Sequence, residues 1–282
     1  MSNVIIFSDL DGTLLDHYTY ESAAADETLK QLKKAKIPVV LNTSKTFAEL
    51  EVINQKLSLN APFIVENGAA VYIPIGTFNQ QPKDTKVVGN YWVKSFCSNR
   101  QHWLDLLNDN ATEYSEHYQN CEALSDLEIT KITGLSLDEA KRAKQRQYGE
   151  PVHWIGNEET KSAFIEHLID LGAYVTKGGR FIHIGGYCDK GQALIWLSEK
   201  YREHYNNNSI VTIALGDGEN DTPMLEACDI AVQVKSPIHN FPKLYRQYNV
   251  TQTTSYGPAG WAEALQKLLE NQFQSTPSNS KR

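Results

Sequence analysis

The chain opens on a stretch that admits few folds: Val4-Ile5-Ile6-Phe7-Ser8-Asp9-Leu10-Asp11-Gly12-Thr13-Leu14. A short unbroken apolar run suits a parallel strand buried on both faces, and this one stops at two carboxylates two residues apart. At strand spacing such residues point the same way, so Asp9 and Asp11 can share one face just past the strand end. Gly12 lets the chain turn there. Carboxylates held this close repel unless a cation or a shared proton compensates them, and a divalent, oxygen-seeking metal is the natural compensation. Calcium loops also contain D-x-D-G, but they need Gly at the sixth position and an acid at the twelfth. Counted from Asp9, Gly12 is fourth, and a buried strand precedes it.

Apolar runs and helix-forming stretches then alternate. A helix is expected over 21–36, a strand over 37–42, a helix from Thr46 to Leu57 and a strand over 61–65 ending at Glu66-Asn67-Gly68. Thr46 with Glu49 forms a capping box. This alternation predicts a doubly wound parallel sheet, in which ligands bind beyond the carboxyl ends of the strands. Asp9, Thr43 and Glu66 each stand at such an end. The alternation breaks after Ile75, and 76–90 reads as a linker. Strands are expected over 91–96, 151–155, 174–177 and 180–184, helices over 100–108 and 158–171, and a longer helical region over 121–145 with another capping box, Ser136 with Glu139, inside it. A Gly178-Gly179 turn joins the last two strands. The parallel pattern resumes with a helix over 190–201, strands over 210–215, 230–234 and 250–254, and a helix over 261–270. The expected fold class is α/β: a Rossmann-like core over 1–84 and 186–273, an inserted smaller α/β domain over 85–185, and a disordered polar tail over 274–282.

Hydrophobic residues make up 41% of the 282 positions, enough for a sizeable core, and the net charge is −7 with Lys and Arg scattered. A nucleic-acid or anionic-membrane partner would want a basic face, so both are excluded. The four cysteines include no CxxC pair, which suits reduced thiols in a cytosolic protein. No apolar stretch reaches the roughly 18 residues of a membrane span, and no secretory signal is visible. A soluble, cytoplasmic protein is expected, with its oligomeric state open.

Three further stretches carry chemistry. Gly216-Asp217-Gly218-Glu219-Asn220-Asp221 is rich in turn residues, but four acidic or amide side chains in six residues exceed what a turn needs. Its strand can neighbour the first, so the two sets of carboxylates can complete an oxygen cage for Mg²⁺. In Asp189-Lys190-Gly191 a lysine opens a helix. Such a lysine is ordinarily solvated, yet a metal site handling phosphate needs a cation against oxyanion charge. In Asn42-Thr43-Ser44-Lys45-Thr46, hydroxyls and helix-start amides suit a phosphate, with plain N-capping the other reading of Thr46.

In this order, the four elements resemble the haloacid dehalogenase (HAD) superfamily of phosphohydrolases. The insert resembles that of its Cof-like branch, and more narrowly the chain resembles the mannosyl-3-phosphoglycerate phosphatase group. The narrower likeness rests on Thr43-Ser44-Lys45-Thr46, Glu66-Asn67-Gly68, Gln145-Arg146-Gln147-Tyr148-Gly149-Glu150-Pro151 and Lys177-Gly178-Gly179-Arg180-Phe181-Ile182-His183. Ser44-Lys45 replaces the Gly-Arg of the wider Cof pattern, a departure that group shares. The resemblance implies that Asp9 is the nucleophile and Asp11 the general acid and base. It implies Mg²⁺ on Asp9, the main-chain carbonyl of Asp11 and Asp217, with Asp221 and Asn220 in support. Thr43 would bond the phosphoryl group and Lys190 neutralise it. The implied substrate is a phosphorylated sugar, mannosyl- or glucosyl-3-phosphoglycerate. Alternatives are a sugar phosphomutase, a phosphatase of another sugar phosphate such as sucrose-6-phosphate, and a non-catalytic sugar-phosphate sensor. Substrate choice falls to the insert. Arg146 and the Gly178-Gly179-Arg180 turn suit a glycerate carboxylate, since Arg binds carboxylates bidentately. His183 and Glu150 suit sugar hydroxyls, and Lys45, Glu66 and Asn67 complete the substrate-binding set. Arg146 as a solvated residue and His183 as a structural histidine are the competing readings.

Overall fold

The computed structural model of the chain describes residues 4–177, 180–207 and 209–274. The Gly178-Gly179 turn and the tail beyond Gln274 lie outside the described residues. The chain divides into two compact units, one of Met1–Thr43, Gly76–Gln80 and Asp189–Arg282, the other of Ser44–Ile75 and Gln81–Cys188. The first unit begins with β1 (Val4–Ser8), α1 (Asp26–Lys34) and β2 (Val39–Asn42). The second holds α2 (Phe47–Leu57), β3 (Phe63–Val65), β4 (Ala70–Pro74), β5 (Lys86–Val88), β6 (Tyr91–Ser95), α3 (Arg100–Asn110) and β7 (Tyr118–Asn120). It continues with α4 (Asp126–Thr133), α5 (Leu137–Ala143), β8 (Glu150–Trp154), α6 (Glu158–Asp170), β9 (Tyr174–Lys177) and β10 (Ile182–Gly185). The chain returns to the first unit with α7 (Lys190–Tyr205), β11 (Val211–Gly216), α8 (Thr222–Ala227), β12 (Ile230–Lys235), β13 (Val250–Tyr256) and α9 (Gly257–Gln274).

In the first unit the strands run in the order β13-β12-β11-β1-β2, each pair parallel. Every residue of β1 and β2 is buried, which is why their sequences are unbroken apolar runs rather than alternations. Ser8 lies opposite both Leu215 and Leu41, so β11, β1 and β2 finish side by side. The Asp9 N–H donates to the Leu215 carbonyl at 2.9 Å, extending the ladder into the first carboxylate. Phe7, Leu10, Leu41, Leu215, Trp261 and Leu265 are fully buried around this sheet, each contributing roughly 1.5–3 kcal/mol.

In the second unit β3, β4, β6 and β5 pair antiparallel in that order, as do β7, β8, β10 and β9. Phe47, Phe63, Tyr72 and Tyr91 form one ring cluster, and Trp103, Leu107, Phe164, Leu168 and Ile182 form a further core. The capping boxes at Thr46 and Ser136 are present. This unit contains all of 85–185 together with Ser44–Ile75. Three local expectations change. The run after Glu66-Asn67-Gly68 is the antiparallel strand β4, because those three residues turn back in the left-handed region. The 76–90 stretch contains β5, which pairs with β6. The helical region over 121–145 is two shorter helices over 126–133 and 137–143, because Gly134 at φ +79° stops α4 and Ser136 caps α5.

Candidate active site

Asp9 leaves the end of β1, and Asp217 the end of β11 one strand over. Between β1 and α1 the chain closes a tight loop, Thr13 and Leu15 both donating to the Leu10 carbonyl at 3.1 and 2.8 Å. Gly12 has φ +81°, and a Cβ there would fall 2.5 Å from an Asp217 oxygen, so no side chain fits. Thr13 Oγ1 donates to Asp217 Oδ1 at 3.2 Å. The Gly216–Asp221 loop folds around its own last carboxylate: Asp221 Oδ2 accepts the N–H groups of Asp217 and Gly218 at 3.0 and 2.9 Å.

Lys190 is drawn inward by its neighbours. Asp189 caps α7, accepting from the Gly191 and Gln192 N–H groups at 2.8 Å each. Gly191 lets α7 meet α8, since a Cβ there would sit 2.4 Å from the Pro223 carbonyl. The solvated reading of Lys190 therefore fails: its side chain is 0% exposed, and Nζ donates to Asp9 Oδ1 and Asp221 Oδ1 at 2.6 Å each. Asn42 Nδ2 donates to the Lys190 carbonyl at 3.0 Å, tying the end of β2 to the start of α7. Thr43, the next residue, is buried.

Buried carboxylate oxygens of Asp9, Asp217 and Asp221 lie within 4.8 Å of one another. The trio does not include the Asp11 carboxylate, which is half-buried in the loop. Burial, then repulsion from Asp221, pushes Asp9 up to about 8, with Lys190 only partly offsetting them. Burial and Asp221 likewise raise Asp217. Burial alone would lower Lys190, but Asp221 and Asp9 outweigh it and hold the ammonium above its ordinary value. Three carboxylates against one ammonium leave an all-oxygen, under-compensated donor set that fits a hard divalent cation.

The second unit gathers another group. Glu66 follows β3 with φ +48° and Asn67 with φ +59°, each costing roughly 1–2 kcal/mol for a residue that is not glycine. The Glu66 carboxylate meets Arg146 Nε at 3.2 Å, and Arg146 Nη2 donates to the Ser44 carbonyl at 3.4 Å. Arg146 is thus mostly buried rather than solvated. Thr46 acts as the helix cap, its hydroxyl accepting from the Glu49 N–H at 3.2 Å, and Lys45 lies 3.9 Å from Glu49. Arg180 is engaged elsewhere, donating to the Thr133 carbonyl at the end of α4. Glu150 is fully buried, paired with Arg100 and accepting the Glu122 N–H at 3.0 Å. That removes it from any sugar hydroxyl.

His183 sits on β10, where burial and then the charge of Arg146 push its pKa down to about 4. The folded value is depressed, so the stability it contributes is complete above the unfolded value near 6.5 and is lost as pH falls toward 4. His183→Asn is expected to reduce acid destabilisation by on the order of 2 kcal/mol between about pH 7.5 and about pH 5. Melting temperatures across that range test this, and parallel pH profiles for the two proteins would refute it.

Five contacts carry no motif. His239 Nε2 lies 3.3 Å from Asp217 Oδ2, and Ser236 bonds both Asp217 and His239. Trp261 Nε1 donates to Ser8 Oγ at 2.9 Å, and Ser8 Oγ donates to the Asp9 carbonyl at 2.7 Å. Only position marks Ser236 and His239: they follow β12, the parallel neighbour of β11.

The model for the haloacid dehalogenase-like hydrolases matches residues 6–251, a span that includes Asp9, Lys190, Asp217 and Asp221. The glucosyl-3-phosphoglycerate/mannosyl-3-phosphoglycerate phosphatase of Methanococcoides burtonii is 39% identical over 265 residues, covering 94% of this chain and 97% of that protein. The Persephonella marina protein of the same name is 34% identical over 283 residues, covering 94% and 97%. A solved structure from Thermotoga maritima shares the fold, with a TM-score of 0.63 at 18% identity over 95% of this chain and 97% of that one. Carboxylates clustered at adjacent parallel strand ends, and a family match running from β1 into β13, lead to one conclusion: the chain belongs to the haloacid dehalogenase-like hydrolases.

Proposed function

We propose that the protein is a Mg²⁺-dependent phosphatase that hydrolyses the phosphomonoester of glucosyl- or mannosyl-3-phosphoglycerate to the glycosylglycerate and phosphate. The buried group of Asp9, Asp217, Asp221 and Lys190 carries the chemistry, and the names of the two relatives support the substrate. In this reading an Asp9 oxygen attacks phosphorus as the bond to the glycerate oxygen breaks, giving an aspartyl-phosphate. Asp11 gives its proton to the departing oxygen. It then takes a proton from the water that attacks phosphorus, and Asp9 is released with phosphate. Lys190 holds Asp9 in place, and with Thr43 it offsets charge on the phosphoryl group. Mg²⁺, held by Asp9, the Asp11 main-chain carbonyl and Asp217 with Asp221 in support, would supply the positive charge that keeps Asp9 ionised. Arg146 and neutral His183 are the groups suited to a carboxylate and to sugar hydroxyls.

A phosphate-release assay with both glycosyl-3-phosphoglycerates, sucrose-6-phosphate and a sugar 1-phosphate tests this reading. Release from the first two, abolished by EDTA and restored by Mg²⁺, is expected. Conversion of the 1-phosphate to a 6-phosphate without free phosphate would replace it with a phosphomutase, and a chelator-insensitive rate would remove the metal.

A further inference from the structure

We propose that Glu66 is a positioning residue for substrate recognition: its carboxylate fills an anion cradle formed by Arg146-Gln147-Tyr148-Gly149 and so fixes the Arg146 guanidinium. This rests on the phosphatase reading above and assigns its specificity. Glu66 Oε1 accepts the Gln147 N–H at 2.7 Å, and Oε2 accepts those of Tyr148 and Gly149 at 3.3 and 3.0 Å. Arg146 Nε stands 3.2 Å from the same Oε2. Successive backbone N–H groups converging on one point make a nest that requires an anion, and here the protein supplies its own. The Glu66 side chain is 2% exposed, so substrate does not reach it.

Two independent features show that the placement is held against resistance. Glu66 keeps φ +48° with Asn67 at +59° beside it, a strain that persists only where surroundings over-determine it. Its N–H is pinned to the Lys45 carbonyl at 3.0 Å. The loop is fastened on its far side as well: Tyr72 donates to the Gln147 side chain, the Arg100 N–H reaches the Gln147 carbonyl at 2.7 Å, and the Tyr148 and Ser95 hydroxyls are 3.0 Å apart. The Glu66 carboxylate holds the Nε side of Arg146 as an ion pair and the Ser44 carbonyl takes one Nη2 donor, which anchors the guanidinium as a group for a ligand carboxylate. Glu66 therefore acts through Arg146 and touches no reacting atom.

Glu66→Gly removes the carboxylate and accepts the left-handed backbone without strain, so the variant is expected to fold. Losing one charge-assisted contact should raise KM for a glycosyl-3-phosphoglycerate roughly tenfold, with kcat changing far less. Selectivity over p-nitrophenyl phosphate, which has no glycerate carboxylate, should fall by a similar factor. Sodium acetate, but not sodium chloride, should recover part of the lost KM and raise the melting temperature of the variant but not of the wild type. Equal losses on both substrates, or no acetate response, would overturn the proposal. A wild-type enzyme that ignores both glycosyl-3-phosphoglycerates overturns the phosphatase assignment alone, because the acetate-induced melting shift reads the cradle without substrate.

Discussion

Asp9→Asn is expected to abolish phosphate release, by at least ~10⁴-fold, because an amide has no anionic oxygen to attack phosphorus. The same substitution should stabilise the fold in EDTA. Asp9 shares a buried space with Asp217 and Asp221, and its ionisation is opposed first by burial and then by the Asp221 charge. An asparagine removes that unfavourable charge and keeps an oxygen that can accept from Lys190. Melting in EDTA should therefore rise above wild type, and the gap should narrow in Mg²⁺, where the cation would compensate the carboxylate. Activity near wild type would sink the nucleophile assignment. A lower melting temperature in EDTA would show that Lys190 already over-compensates the cluster. The two readouts are independent, since one follows bond making at phosphorus and the other the balance of charge in the resting protein.

The parts of this arrangement legible in sequence are those whose cause is local. β1, β2 and β11 are buried on both faces, so their runs are unbroken, and an acid or amide at the end of such a run marks the ligand-facing edge of a parallel sheet. The Gly216–Asp221 loop is equally local, its turn being built around Asp221. Long-range causes were not legible. Nothing near Lys190 says that it is buried; that depends on Gly191 meeting Pro223, a residue 32 positions on. Glu66 and Arg146 are 80 residues apart, and their own stretches read as two separate ligand-facing groups, yet they are a pair. Glu150 read as a ligand for sugar because its partner Arg100 lies 50 residues back. His239 follows a strand with no motif around it. β4 went unread because a reversal through left-handed Glu66 and Asn67 has no ordinary sequence signal, both residue types being rare there compared with glycine.

Lys190→Met should fail in the opposite sense from Asp9→Asn. The lysine stem is wholly buried, and methionine replaces most of its volume, so packing changes little. The charge balance changes completely. Asp9 and Asp221 each lose a 2.6 Å contact and remain buried beside Asp217 with no cation between them. Breaking a buried pair from one side costs about 3–5 kcal/mol, so urea unfolding in EDTA should show a loss of that order. Turnover should also collapse, since neither the nucleophile nor the phosphoryl charge then meets the ammonium. The decisive comparison is the double variant. If the loss comes from stranded carboxylates, adding Asp9→Asn to Lys190→Met should return part of the stability although it removes a second native group. Simple additivity of the two changes would mean that the pair does not interact energetically, and the Lys190–Asp9 contact would no longer explain why this lysine is buried.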